Sequence, residues 1–258
     1  MVKGFRQQII LQNLGINIPI KSSILLYLAG LSMLITPGGS GQIIKSYFLK
    51  NRFGIQISKS IPLVLIERFA DLIAITFIVT LVLILIQNFE LLLLIPIIWV
   101  IIILIYTSFR NKIVYKKIES FLIKFSFFRK QVKGISESYD RLQLATTKRM
   151  VLKNWALSVV AWSIDAIAVY FVFVGFNQDL ELLYTTFVMY TSLLLGFITF
   201  LPAGLGVTEL SFLGLLTTEG IQVSLATSVI IMIRLTSIWY STIIGLITSK
   251  IFLKENKP

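Results

Sequence analysis

Long apolar runs separated by short polar segments make up most of this chain. A helix needs about 20 mainly apolar residues to cross a bilayer. Four runs meet that length and predict spanning helices, at residues 60–86, 91–109, 154–176 and 221–249. The pattern predicts an all-α fold, a polytopic transmembrane helical bundle that forms a single membrane domain over residues 1–258.

Two further apolar runs, residues 22–44 and 182–208, are interrupted by proline and glycine. The interruptions read Pro37-Gly38-Gly39-Ser40-Gly41 and Pro202-Ala203-Gly204-Leu205-Gly206. Proline removes a backbone donor from a helix, and glycine adopts dihedral angles that other residues avoid. Each run is therefore predicted to form a helix, a turn and a second short helix.

The distribution of lysine and arginine predicts the orientation. Residues 110–153 contain twelve basic and three acidic residues, so this loop is expected to be cytoplasmic. Lys250, Lys254 and Lys257 place the C-terminus on the same side, and residues 50–59 form another basic loop. The acidic segments 87–90 and 177–181 are predicted to lie outside. A multi-pass protein of the plasma membrane follows from this arrangement.

Phenylalanine and leucine side chains lie among the bases of the 110–153 loop. Phe121, Leu122, Phe125, Phe127 and Phe128 allow two interpretations. They are compatible with an amphipathic helix on an anionic membrane surface. They are equally compatible with a loop that serves only to set the topology.

The two interrupted runs are related by spacing and predicted direction. Pro37 precedes Arg68 by 31 residues, and Pro202 precedes Arg234 by 32. The first run begins and ends on the predicted cytoplasmic face, and the second begins and ends outside. Two such units suggest re-entrant hairpins in an inverted-topology repeat, with halves at residues 21–109 and 154–250. Two ordinary hairpins with Pro-Gly turns are the alternative.

Composition removes several kinds of chemistry. Hydrophobic residues make up 56% of the chain and the mean hydropathy is +0.87. Cysteine and histidine are absent, which excludes disulfides, thiol nucleophiles and histidine bases. We expect no catalytic residue, metal or cofactor. The net charge is +12, but the charged residues lie almost entirely between apolar runs, where they determine membrane topology. Nucleic acid is therefore not an expected partner.

Ionisable residues inside predicted spans are costly and are therefore candidates for function. Arg68 and Asp71 are three residues apart and close enough to pair, and Glu67 shares a helix face with Asp71. Arg68 is thus expected to hold two carboxylates together. The alternative is a structural ion-pair cluster near the inner interface.

Arg234 lies about four turns into its predicted span and has no carboxylate near it in sequence. It needs a bound anion or a partner from another segment, and Glu209 is the nearest plausible one. A structural Arg234–Glu209 tie that holds the hairpin is the alternative to a ligand site. Asp165, in the third span, is expected to cap a polar patch with Ser163 or with a neighbouring helix.

The glycine-rich breaks add a second source of positive potential. Helices that start just after Gly41 and Gly206 would direct free N–H groups toward the protein centre. With Arg68 and Arg234, and with Lys45 one turn into the first of these helices, such a site suits a phosphate. A lipid headgroup or a polyprenyl phosphate fits this chemistry.

The residues 36–47, TPGGSGQIIKSY, and 201–209, LPAGLGVTE, resemble motifs of a known family. That family is the lysylphosphatidylglycerol synthase/flippase transmembrane domain, including archaeal members linked to glycosylation. The resemblance implies re-entrant helices that bind and translocate lipids with modified headgroups. The resemblance implies that the residues at the positions of the family motifs bind the substrate. These residues are Pro37, Gly38, Gly41, Lys45, Glu67, Arg68, Asp71, Pro202, Gly204, Gly206, Glu209 and Arg234.

Three departures from the family pattern bear on these expectations. Gln42 stands where members often have an acidic residue, which weakens any role that needs a carboxylate there. Members usually have one or two spans ahead of the first motif, whereas this sequence starts almost at it, which leaves open whether such spans are missing. We expect no soluble aminoacyl-transferase domain after Pro258, and therefore no lysylphosphatidylglycerol synthesis by this chain alone.

We therefore expect a flippase-like protein that binds and translocates an anionic or headgroup-modified lipid. Its partners would be membrane phospholipids or polyprenyl phosphates. The alternative is a membrane subunit or anchor that transports nothing and docks a cytoplasmic glycosyltransferase or lipid-modifying enzyme through the 110–153 loop. An enzyme in its own right is a weaker alternative, because only Glu67 and Asp71 could serve as acidic metal ligands.

Overall fold

A computed structural model describes residues 1–36, 40–114, 117, 135–199 and 201–254. The predicted all-α fold class is confirmed. The described α-helices are α1 (Val2–Asn13), α2 (Ile20–Gly30), α3 (Ile44–Phe53), α4 (Ile57–Leu85), α5 (Phe89–Leu92), α6 (Ile95–Arg110), α7 (Ile135–Ala145), α8 (Lys148–Gly175), α9 (Leu182–Ile198), α10 (Val207–Thr218), α11 (Val223–Arg234) and α12 (Tyr240–Lys254). Two 3₁₀ turns, Leu31–Met33 and Ser40–Ile43, flank the first break, and a π-helical segment, Leu235–Trp239, joins α11 to α12.

All four predicted spans are confirmed as helices that are long and apolar enough to cross a membrane. They cover Ile57–Leu85, Phe89–Arg110, Lys148–Gly175 and Val223–Lys254. The second consists of α5 and α6 with a turn at residues 93–94, and the fourth consists of α11, the π-helical segment and α12. The two uninterrupted spans, α4 and α8, would extend about 42 Å or more at the usual rise per residue, which exceeds a hydrocarbon core of about 30 Å. The polytopic membrane architecture follows from these helices.

Both interrupted runs contain a break, and the second lies where proline and glycine predicted it. In the first run, α2 already ends at Gly30, and α3 begins at Ile44 rather than directly after Gly41, because the 3₁₀ turn Ser40–Ile43 precedes it. The first break separates α2 from α3, and its residues 37–39 lie outside the described residues. The second separates α9 from α10, which pack against each other. Here Ala203, Gly204 and Gly206 have φ angles of 52°, 66° and 85°, so the chain reverses through left-handed conformations. The opposite orientation of the two broken segments remains a prediction.

Two apolar clusters hold the helices together. The first cluster joins α1, α2 and α3 to α7 and α12, through fully buried residues such as Leu11, Leu26, Leu49, Leu142 and Phe252. The second cluster joins the end of α4 to α8, α9, α10 and α11, through residues such as Leu83, Phe173, Tyr190, Leu216 and Val229. Each broken segment therefore packs in a different cluster.

The outer faces of the spans are also apolar. Leu104, Phe171 and Ile247 are between 56% and 63% exposed. A soluble domain of this size would cover such faces with charged side chains, whereas lipid is the natural surrounding for this surface. The exposed apolar faces agree with the membrane location that the sequence predicted.

Candidate functional site

The N-terminal helix α1 brings a cation to the centre of the bundle. Arg6 is 1% exposed, and its Nη1 lies 2.5 Å from Oδ1 of Asp71 on α4. It also donates to the Ser158 hydroxyl on α8, and Trp162 Nε1 donates to Asp71 Oδ1 at 3.1 Å. Asp71 thus accepts hydrogen bonds from two other helices, α1 and α8. Arg6 was not among the candidate residues predicted from the sequence.

Lys45 and Glu67 form a second buried ion pair, between α3 and α4. Their Nζ and Oε2 atoms are 2.7 Å apart, and each side chain is 1% exposed. Gly30 makes room for this lysine, since a Cβ there would lie 2.3 Å from Lys45 Cε. The Lys45 ammonium, which the sequence predicted to bind phosphate, is therefore paired with the Glu67 carboxylate and enclosed by the protein.

Arg68 is held by a neutral group more closely than by a carboxylate. Its Nη2 donates to Gln42 Oε1 at 3.0 Å and lies 3.7 Å from Asp71 Oδ2. The expected contact with Asp71 exists, but the expected grouping with Glu67 does not, because Glu67 faces Lys45. The Arg68 side chain is 30% exposed, and its Nε has no hydrogen-bond partner among the described residues.

Arg234 pairs with Glu209, as the structural alternative in the sequence analysis proposed. Arg234 Nε lies 2.7 Å from Glu209 Oε1, and the Gly206 N–H donates to Glu209 Oε2 at 2.7 Å. Glu209 therefore joins the second break to the end of α11. Arg234 Nη2 is buried and has no partner within the described part of the chain. The π-helical segment begins at the next residue, a feature often found at functional sites.

A cavity of about 510 Å³ lies between the two breaks, and both Arg68 and Arg234 line it. Of the predicted site residues, it is lined by Arg68, Asp71, Gly204 and Arg234. Its further polar lining residues are Lys3, Arg6, Tyr27, Gln42, Trp162, Asp165, Thr208, Thr236, Ser237 and Ser241. The other predicted residues that the structure describes, Gly41, Lys45, Glu67, Pro202, Gly206 and Glu209, do not line it. Pro37 and Gly38 lie outside the described residues.

Cations exceed carboxylates on the cavity wall. Four basic side chains line it, against Asp71 and Asp165 among the described residues. Glu209 lies outside this lining but pairs with Arg234, so the basic side chains exceed their carboxylates by one. Asp165 pairs with Lys3 at 2.7 Å, and Lys3 Nζ also lies 3.7 Å from the centre of the Trp162 ring. The polar patch expected around Asp165 thus includes a neighbouring helix, α1. The remaining wall is largely apolar, so an anion inside would interact strongly with the excess positive charge.

The helix that follows the second break starts at Val207, directly after Gly206 as predicted. Its first donors are partly engaged within the turn: the Gly206 N–H by Glu209 and the Thr208 N–H by the Gly204 carbonyl at 3.0 Å. At the first break, the Gly41 N–H donates to Thr36 Oγ1. The arginines therefore contribute more to the site than the helix N-termini do.

The Thr208 side chain was not among the predicted site residues. It is 3% exposed, lines the cavity, and its Oγ1 has no hydrogen-bond partner among the residues that the structure describes. Gly196 on α9 packs directly on it, since a Cβ there would lie 2.0 Å from Thr208 Oγ1. No grouping of three or more acidic side chains suited to a metal ion occurs in the described ranges.

Known proteins with similar sequences identify the family of this chain. Residues 1–245 match the profile described as lysylphosphatidylglycerol synthase TM region. The chain belongs to this family. A UPF0104 membrane protein of Methanocaldococcus jannaschii is 29% identical over 247 residues, which is 86% of this chain and 96% of that protein. A UPF0104 membrane protein of Pyrococcus horikoshii is 29% identical over 115 residues, which is 45% of this chain and 34% of that protein.

No solved structure matches the chain. The relatives are named only as membrane proteins, which agrees with the four spanning helices. The family resemblance inferred from the two Pro-Gly motifs is confirmed over nearly the whole chain.

Proposed function

We propose that this protein binds the anionic headgroup of a membrane lipid in the central cavity and translocates that lipid across the membrane. The lipid is a phospholipid or a polyprenyl phosphate. One observation carries the proposal: Arg68 and Arg234, from opposite halves of the chain, face one cavity, and each keeps a nitrogen without a partner among the described residues. The proposal assigns no catalytic residue.

The contacts of Arg68 favour an anionic ligand. Gln42 accepts its hydrogen bond through a neutral amide oxygen, so the guanidinium is positioned without being neutralised by that contact. Asp71, the nearest carboxylate, is already paired with Arg6 at a shorter distance. A phosphate can accept two parallel hydrogen bonds from a guanidinium, which is among the stronger pairings in proteins.

Transport would use the two breaks as an inverted repeat, with alternate opening of the cavity to either face. The two apolar clusters support this arrangement. Phe53 and Phe109, which border predicted cytoplasmic segments, pack on the first cluster. Phe176, Leu180 and Ile221, which border predicted outer segments, pack on the second. Each broken segment thus packs in the cluster at the face from which it is predicted to enter.

Membrane orientation is part of the proposal. The positive-inside rule places the 110–153 loop and the C-terminus in the cytoplasm, and the plasma membrane is the proposed location. A cysteine introduced at Lys254, in a chain that otherwise has none, would be labelled only after the cytoplasmic face is made accessible to an impermeant maleimide. Labelling of intact cells at this position would reverse the proposed topology.

The decisive experiment is lipid flipping in proteoliposomes with a panel of labelled phospholipids and polyprenyl phosphates. We expect flipping by the wild type and none by Arg68→Ala/Arg234→Ala. The charge-matched control is Lys250→Ala/Lys254→Ala, which removes two exposed bases away from the cavity and should flip normally. Near-ultraviolet circular dichroism would verify folding. A folded Arg68/Arg234 variant that still flips lipid would sink the proposal, and a wild type that flips none would favour the anchor alternative.

A further inference from the structure

A second, smaller pocket of about 210 Å³ adjoins the central cavity. It is bounded by residues before the first break, within the second break, at the end of α11 and along the π-helical segment, namely Ile35, Ala203, Leu205, Ile231, Leu235 and Trp239. It shares Ala203, Ile230, Arg234 and Ile238 with the cavity, so the two spaces adjoin along these residues. We refer to it as the side pocket.

The side pocket combines an exposed apolar part with a buried cation. Leu205, Ile231 and Leu235 are 44%, 53% and 50% exposed on the apolar surface of the protein. The charged lining residues among those described are Arg234 and Glu209; the Arg234 side chain is 12% exposed, and its buried Nη2 has no partner in the described part of the chain. A lipid likewise combines a hydrocarbon chain with a phosphate.

A lipid that places its phosphate in a polar cavity must keep its hydrocarbon chain in apolar surroundings, because hydrated apolar surface is unfavourable. The headgroup cavity therefore needs a lateral opening that is continuous with the bilayer. The side pocket provides such an opening next to a cationic group. Its position between the two breaks also leaves the chain beside the headgroup rather than inside the cavity.

We infer that the side pocket holds a hydrocarbon chain of the lipid whose phosphate contacts Arg234. This inference rests on the proposed headgroup site, but it does not require translocation. The occupant is a lipid chain rather than a peptide, because the described lining is aliphatic or aromatic except for Arg234 and Glu209, offers few polar groups to a peptide backbone, and includes residues that are about half exposed on helices long enough to span a membrane.

Photolabelling of the reconstituted chain tests the inference. The probe is phosphatidylglycerol with a diazirine in the middle of one acyl chain, in phosphatidylcholine vesicles, and adducts are mapped by mass spectrometry. We expect adducts at residues 203–205 and 231–239 to exceed those at residues 243–251 several-fold. Filling the side pocket with Ile231→Trp/Leu235→Trp should reduce labelling of residues 203–205 to the level of the general lipid-facing surface.

The matched control is Ile243→Trp/Ile247→Trp. These residues have the same spacing on α12, are 55% and 56% exposed, and line neither space. This variant should keep the wild-type labelling at residues 203–205. Uniform labelling of all exposed apolar faces, or an unchanged pattern in the filled variant, would overturn the inference.

The outcome is separable from that of the flipping experiment. Localised labelling without flipping would support a lipid chain bound in the side pocket and would argue against translocation. Flipping with uniform labelling would support the proposed function and would show that the side pocket does not hold the lipid chain.

Discussion

The ion pairs beside the two breaks differ in how closed they are. Lys45–Glu67 and Arg6–Asp71, near the first break, have side chains at most 5% exposed. Arg234–Glu209, at the second break, has side chains 12% and 27% exposed. All three pairs keep one buried atom without a partner among the described residues, namely Glu67 Oε1, Arg6 Nε and Arg234 Nη2, so the difference lies in exposure. A closed pair is costly to break from one side, whereas an open pair can exchange part of its contact for a ligand.

The largest effect is expected from breaking the closed Lys45–Glu67 pair. Glu67→Leu leaves a buried ammonium without its counter-ion and should lower the free energy of unfolding by about 3–5 kcal/mol. Lys45→Met/Glu67→Leu removes both charges and should recover much of that loss. Unfolding of the purified variants in detergent, followed by circular dichroism, measures both. Equal loss in the single and double variants would show that the pair's charge is not the cause.

The Arg6–Asp71 pair should respond asymmetrically. Asp71→Leu leaves Arg6 with only Ser158 as a described hydrogen-bond partner, and we expect a loss of about 3 kcal/mol or more in unfolding free energy. Arg6→Leu leaves Asp71 with the Trp162 N–H and the nearby Arg68, so a loss of about 1–3 kcal/mol is expected. The same unfolding measurement compares the two. The reverse order would mean that Arg68 does not compensate for Arg6.

The smallest effect on stability is expected at the open pair. Glu209→Gln removes a partly exposed carboxylate but keeps an amide oxygen that can accept from Arg234, so it should cost about 1–2 kcal/mol. It also leaves Arg234 without its counter-ion, so retention of anionic phospholipid by the purified protein should increase. Native mass spectrometry counts the retained lipids. Glu90→Gln, the same substitution at an exposed position outside both pockets, controls for the gain of one unit of positive charge. Unchanged lipid retention in Glu209→Gln would contradict an anion site at Arg234.

The lengths of the spans could be predicted because they depend on one local property, the number of consecutive apolar residues. Predicted span 154–176 and observed helix Lys148–Gly175 differ mainly at the polar end, where the helix continues into the basic loop. The breaks were equally local, since proline and glycine act on their own backbone. These features need no knowledge of which helices are neighbours.

The pairing of charges could not be predicted in the same way. Arg6 and Asp71 are 65 residues apart, so their contact depends on how α1 packs against α4. The first helix is also short and polar, with Gln7 and Gln8 buried beside Arg6, and nothing in its sequence resembles a core helix. The available signal was indirect: a buried carboxylate such as Asp71 needs a cation, and Arg68 was assigned to it because Arg68 was nearest in sequence.

The close approach of Gly245 to the backbone of the first break determines which parts of the protein can move as rigid bodies. A Cβ at Gly245 would lie 2.1 Å from the Ser32 backbone nitrogen, so α12 and the turn Leu31–Met33 touch through their main chains. Although α12 belongs to the second half in sequence, it is mechanically part of the first. A rocking motion between the halves would therefore have its hinge at Leu235–Trp239, where the helical hydrogen-bond ladder already changes its spacing.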